Sequence, residues 1–225
     1  MRAETKRNLI INGIGSSNGG SFHSVKVDGL GRLEGDVGCS NFTVNGRSVV
    51  NGSITAETTE MHGTLTIHGN LKAERTRIHG RAKIEGNYVG EHIEIHGSTT
   101  ISGSCEAEKF KANGKLQVGT LNADNIHVTL HGHCKIAEIG GERIQIQKQL
   151  GIDLVSWLKI LPKSIGNHLT VQTIEGDDIY LEYTTAEVVR GANIKIGPGC
   201  EIGRIEYTEK LEQDKRSKVK HSEKL

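Results

Sequence analysis

The segment at residues 59–69, TEMHGTLTIHG, recurs as TRIHGRAKIEG at 76–86 and again as IEIHGSTTISG at 93–103. Each copy has glycine at its fifth and last positions and an apolar residue at its third and ninth. The fifth-position glycine belongs to a series with a constant 17-residue period, which consists of Gly29, Gly46, Gly63, Gly80, Gly97 and Gly114. A fixed period of this length indicates a repeat architecture in which successive copies stack.

The residues between these glycines alternate between apolar and polar, which is the pattern of short β-strands. A helix is excluded for this region, because glycine interrupts the chain about every sixth residue. Three short strands that close within one period form one rung of a parallel β-helix, or β-solenoid. We therefore predict an all-β fold whose rungs stack about 4.8 Å apart.

The repeat predicts a solenoid over residues 9–146, preceded by a flexible N-terminus at 1–8. Residues 147–166, QKQLGIDLVSWLKILPKSIG, break the pattern and carry apolar residues at helical spacing. We predict a short amphipathic helical insertion there. It either packs on the side of the solenoid, covers one of its ends, or contacts a partner or a membrane.

Apolar alternation resumes after the insertion and ends in a highly charged segment. We expect residues 167–208 to form further rungs or a small β-sheet. Residues 209–225, EKLEQDKRSKVKHSEKL, are almost wholly charged or polar, and this composition predicts a disordered tail.

Composition argues against several classes of function. The 28 Lys and Arg residues nearly balance the 27 Asp and Glu residues, so the net charge of +1 is too small to drive nucleic-acid binding. No stretch approaches the roughly 20 apolar residues that span a bilayer, and we expect a cytoplasmic protein. Four widely separated cysteines indicate buried thiols and neither a zinc site nor a disulfide framework.

Three histidines, His62, His79 and His96, precede glycines of the periodic series. Stacked rungs would place them about 4.8 Å apart, which makes them weak candidates for a metal site. Parallel side chains do not converge on an ion, and we interpret the column as a solvated polar ladder. We predict no cofactor, no catalytic residue and no small-molecule substrate.

An enzymatic alternative remains open beside this interpretation. Residues 194–203, IKIGPGCEIG, resemble one hexapeptide repeat of β-helix acyltransferases, and the histidine column would suit a metalloenzyme. Both analogies depend on architecture, which does not carry function.

The two ends of a β-solenoid carry unpaired backbone groups and an exposed slice of the apolar core, so they must be capped or must pair with another chain. At the N-terminal end the nearest apolar residues are Leu9, Ile11 and Phe22. At the C-terminal end they are Ile202, Ile205 and Tyr207. We predict self-assembly through these residues into an open filament.

The rung pattern in VKVDGLGRLEGDVGC (25–39), FTVNGRSVVNGSITA (42–56) and IEIHGSTTISGSCEA (93–107) resembles that of the bactofilins, over residues 9–146. The resemblance implies a right-handed, triangular β-helix whose subunits join end to end into nucleotide-independent cytoskeletal filaments that position other proteins. It also implies that the partner is the protein itself or a related subunit. Weak peripheral contact with the inner face of the cell membrane is a further implication.

Overall fold

A computed structural model describes residues 7–148 and 166–225 of the chain. All secondary structure in these residues is β, and the strands pair in parallel. This confirms the prediction of an all-β parallel solenoid. The chain divides into two compact units, Met1–Lys109 and Phe110–Leu225.

Unit 1 is a regular ladder in which the strand order follows the chain. Its strands are β1 (Leu9–Ser21), β2 (Ser24–Asn51), β3 (Ile54–Ile67), β4 (Leu71–Ile84), β5 (Tyr88–Val89) and the first part of β6 (His92–Leu130). Val37 of β2 pairs with Ile54 of β3, and Ile54 pairs with Leu71 of β4. In both pairs the two partners are separated along the chain by the same number of residues as successive glycines of the periodic series. The predicted rung length is therefore confirmed.

Unit 2 contains the remainder of β6 and five further strands. These are β7 (His133–Lys148), β8 (His168–Leu181), β9 (Thr184–Ile196), β10 (Glu201–Gln213) and β11 (Lys218–Lys224). The register is irregular here, because the number of residues between paired positions differs from one strand pair to the next. The register partners are Gln117 with Lys135, His133 with His168, and Leu169 with Thr184.

Inward-facing apolar residues stack in columns to form the core of each unit. Ile67, Ile84 and Ile101 are register partners in one column of unit 1 and are at most 1% exposed. Each covers the next, so apolar surface is removed from water along the whole ladder. All four cysteines are buried as well, and burial raises the pKa of the Cys105 thiol to about 12.

The glycine series is required by the close approach of successive rungs. Gly80 adopts a φ of 134°, which is unfavourable for residues with a side chain. A Cβ atom at Gly80 would lie 2.1 Å from the carbonyl oxygen of Gly63 in the preceding rung. The same two features recur at Gly46 and Gly97, which explains why this column admits only glycine.

A second ladder joins the rungs of unit 1 at the connections between strands. The side chain of each member accepts a hydrogen bond from the backbone N–H of the residue 17 positions later. Asp36 accepts from Ser53 at 2.7 Å, Ser53 from Asn70 at 3.1 Å, and Asn70 from Asn87 at 2.8 Å. Backbone groups outside the strands thereby gain partners.

The prediction of a disordered tail at 209–225 needs correction. Residues up to Gln213 continue β10, and Lys218–Lys224 form β11, which pairs in parallel with β10. Charged side chains find opposite charges on the neighbouring strand, as in the 3.0 Å pair between Arg204 and Glu223. A charged composition favours disorder only where such cross-strand pairing is not available.

The predicted segments at 1–8 and 147–166 lie mostly outside the described residues. Gln147 and Lys148 belong to β7, so the insertion cannot begin as a helix at 147. Residues 149–165 lie between β7 and β8, which pair with each other across this stretch of chain. Strands β8 to β10 pair in sequence after it and form further rungs.

Candidate self-association edges

The outer edge of β1, which faces away from β2, is the candidate edge of unit 1. Among the described residues, no strand pairs with this edge. The strand reads LIINGIGSSNGGS and contains no ionisable side chain. The described residues give the backbone groups of this edge no strand partner, and the edge lacks charge, so it is a candidate for pairing with another chain.

The three residues predicted for this end lie in or beside the first rung. Leu9 begins β1 and is partly exposed, whereas Ile11 is 7% exposed. Phe22 follows β1 and is 2% exposed, with the Arg7 guanidinium 5.9 Å from its ring centroid. Two of the three side chains predicted for this end are therefore already covered.

The candidate edge of unit 2 differs from the prediction. Ile202, Ile205 and Tyr207 lie in β10 and pair with Val219, Ser222 and Lys224 of β11. Ile202 and Ile205 are at most 1% exposed. The predicted residues are therefore one rung inside the edge, because the charged segment that follows them forms the outermost strand of the described chain.

The outer edge of β11, which faces away from β10, is strongly charged. Its sequence, KVKHSEK, contains three lysines, Lys218, Lys220 and Lys224, and one acidic residue, Glu223. Ion pairs join this strand to β10, including Lys218 with Glu201 at 3.8 Å. Charged side chains of this kind, especially lysines, oppose pairing with a further strand.

The charged side chains of this edge belong to a network of ion pairs that also includes β9 and β10. Glu206 of β10 lies between two arginines, with Arg204 at 2.8 Å and Arg190 of β9 on its other carboxylate oxygen. The hydrogen bond from Arg190 lowers the pKa of the Glu206 carboxyl group. Arg204 also reaches Glu223 of β11, so the network connects three successive strands.

A tight turn positions β11 against β10. The Asp214 carboxylate accepts hydrogen bonds from the guanidinium and the backbone N–H of Arg216, at 2.8 to 3.0 Å. These bonds, led by the guanidinium contact, lower the pKa of Asp214 to about 2 from an ordinary value of 3.8. The ionised carboxylate therefore holds the turn that brings β11 back to the ladder.

The histidine column forms a stack on the outside of unit 1. The rings of His62, His79 and His96 are 5.0 Å apart between neighbouring centroids, with planes inclined by 3°. Two of them approach carboxylates in their own rung, His62 at 3.3 Å from Glu60 and His96 at 3.2 Å from Glu94. Parallel rings do not direct their nitrogen atoms at one metal ion. We therefore still interpret the histidine column as a solvent-exposed polar ladder.

Metal-binding side chains are not grouped in threes anywhere in residues 7–148 and 166–225. The described part of the chain therefore supplies the histidine column with no converging set of ligands. Over the same residues, no helix has the length and apolar character needed to cross a bilayer.

Sequence reasoning missed a group of exposed apolar residues beside the β1 edge. Ile10 is 58% exposed, Ile14 is 86% exposed and Leu30 is 48% exposed. The available signal was the alternation itself, because the pattern that turns Leu9 and Ile11 inward turns Ile10 outward.

Comparison with known proteins identifies the family. A family model for bactofilins, described as polymer-forming cytoskeletal, matches residues 2–89. The uncharacterized protein YhbE of Bacillus subtilis (strain 168) is 47% identical over an alignment of 236 residues, and the match covers 96% of this chain and 98% of YhbE. The chain belongs to the bactofilin family. The resemblance inferred from the rung pattern is thereby confirmed.

A second relative matches this bactofilin over a shorter region. The uncharacterized protein YhbF of the same Bacillus strain is 40% identical over 108 residues, or 48% of this chain. The match spans 42% of the length of YhbF. No solved structure matches this chain.

Proposed function

We propose that this bactofilin is a structural scaffold that self-assembles end to end into cytoskeletal filaments and positions other proteins. The observation that carries the proposal is the outer edge of β1, which carries no ionisable side chain and pairs with no strand of the described residues. Leaving such an edge in water is unfavourable when a second chain can pair with it. Membership of a polymer-forming family supports the same function.

Assembly of this kind does not require a nucleotide. Its driving forces are strand pairing and the burial of apolar surface, both of which are available to the folded chain without an energy source. Moderate salt screens charges but leaves apolar burial in place. We therefore expect filaments in buffers that contain neither ATP nor GTP.

The partner in the filament is a second copy of the chain, and a related subunit is a further candidate. Two similar proteins, YhbE and YhbF, occur together in one Bacillus strain, which supports the idea that related subunits coexist. We place the scaffold in the cytoplasm, with weak peripheral contact at the inner face of the membrane, because the family is cytoskeletal.

The enzymatic alternative finds no specific support among the described residues. The histidine rings are parallel, and no group of three metal-binding side chains occurs there. In the segment that resembles an acyltransferase repeat, Ile194, Ile196 and Ile202 are buried and serve the core. We therefore put forward no second function.

Negative-stain electron microscopy of the purified full chain tests the proposal. We expect filaments without added nucleotide and the same filaments when ATP or GTP is present. A pelleting assay on the same samples measures the assembled fraction. Monodisperse particles at every protein concentration, with no pelletable material, would contradict the scaffold function.

A further inference from the structure

The exposed apolar residues of unit 1 are concentrated next to the β1 edge. Ile10, Ile14 and Leu30 are 58%, 86% and 48% exposed, and all three lie in the first two rungs. We call these three residues the apolar collar. Val89, at 40% exposure, is the one other large apolar residue exposed in the described part of unit 1.

The collar residues lie around one corner of the first rung. Ile14 pairs in register with Leu30, so their side chains belong to the same outward column. Ile10 lies on the other side of Gly13, whose φ of 84° marks the corner. In the next rung the equivalent position is Arg47, so the apolar surface ends there.

The cations of the second rung that lie nearest the collar are paired. Lys26, which pairs in register with Ile10, forms an ion pair with Asp28 at 2.7 Å. Arg32 forms an ion pair with Glu34. Because both cations already have an acidic partner, they offer little attraction for an anionic lipid headgroup.

We propose that the apolar collar is part of the self-association surface and contacts a second copy of the chain. This rests on the proposed function, since the collar adjoins the uncharged edge of β1. A partner rung that pairs with this edge brings its own outer side chains next to Ile10 and Ile14. The interface then extends beyond the edge onto the side of the first two rungs.

The test removes the apolar side chains without touching the core. The double variant Ile14→Ser, Leu30→Ser is compared with Val89→Ser, which changes another exposed apolar residue, away from the edge. Thermal unfolding of dilute protein should be alike for both variants and wild type, because these side chains already face water. The concentration at which half of the protein pellets should rise roughly ten- to hundred-fold for the double variant.

Three results would overturn the proposal, and they differ from one another. Unchanged pelleting of the double variant would remove the collar from the interface while leaving filament formation intact. Flotation with vesicles of phosphatidylcholine and phosphatidylglycerol that falls in the double variant, with pelleting unchanged, would assign the collar to lipid. Wild-type protein that stays monomeric throughout would overturn both the collar and the proposed scaffold.

Discussion

The outer edges of β1 and β11 expose the same kind of backbone but carry opposite kinds of side chain. β1 has 13 residues and no ionisable group, and the apolar collar flanks it. β11 is shorter, and its sequence KVKHSEK is mostly ionisable. The difference predicts that side chains at the edge, and not the ladder itself, control which edge pairs with a second chain.

The largest expected effect is a loss of folding stability on substitution in the glycine column that runs from Gly13, in β1, to Gly80 and beyond. Gly80→Ala places a methyl group 2.1 Å from the Gly63 carbonyl oxygen, at a φ of 134°. We expect a loss of about 3 kcal/mol or more in the free energy of unfolding, from steric overlap and backbone strain together. Urea denaturation of dilute protein measures it, and a loss below about 1 kcal/mol would contradict the rung spacing.

Gly13→Ala is the matched variant at the edge of the same column. A Cβ atom at Gly13 meets nothing within 4 Å, and only its φ of 84° is unfavourable. We expect a cost of about 1–2 kcal/mol in folding. Assembly should weaken as well, because the methyl group projects toward the position of an incoming rung. Pelleting equal to that of wild type would mean that no rung stacks closely at this edge.

Charging the β1 edge should make it behave like that of β11. We expect Ser16→Lys combined with Asn18→Lys to abolish pelleting at concentrations where wild type assembles, because lysine opposes strand pairing at an edge. Both residues are exposed, so folding should be unaffected.

The control for this variant is Thr100→Lys combined with Ser102→Lys, which places the same charges in the same columns of an interior rung. This control should assemble normally, because the strand that contains it is already paired with β4. Equal pelleting of the two double variants would show that edge charge is irrelevant.

Neutralising the β11 edge should promote assembly, by less than charging the β1 edge opposes it. Replacing Lys218, Lys220 and Lys224 with serine removes charges that repel a second strand. We expect assembly at a several-fold lower concentration, most clearly at low ionic strength, where charges are least screened. Light scattering across a salt series measures the change. A triple variant that assembles less readily would mean that these lysines form contacts between subunits.

Acidification should produce the smallest effect, and Asp214 should make its contribution to that effect at β11. The pKa of Asp214 is lowered to about 2 in the folded chain, so its stabilising contribution is complete above the ordinary value of 3.8 and is lost as the pH falls toward 2. Amide hydrogen exchange of β11 should accelerate over this range more in wild type than in Asp214→Asn. In Asp214→Asn the exchange of β11 should already be faster at neutral pH, and unchanged exchange there would remove the carboxylate from the turn.

Much of unit 1 could be predicted because its information is local and repeated. The glycine period established the rung length, and the alternation identified the buried column of Ile67, Ile84 and Ile101. The ladder that begins with Asp36 and Ser53 was not predicted, because its hydrogen bonds become visible only when the register is known.

Unit 2 was harder to predict because its register changes between rungs and its last strand is charged. The partners of β11 are on β10, and the ion pair between Arg204 and Glu223 joins residues of two neighbouring strands. Composition alone cannot reveal such pairing. The candidate edge was therefore placed one rung too early, at Ile202, Ile205 and Tyr207.

Sedimentation velocity of the wild-type chain over a concentration series, in nucleotide-free buffer, tests the central claim most directly. Self-association through the β1 edge predicts boundaries that move faster and broaden as concentration rises, while the Ser16→Lys, Asn18→Lys variant keeps a single slow boundary. A single monomer boundary for wild type, independent of concentration, would contradict the account.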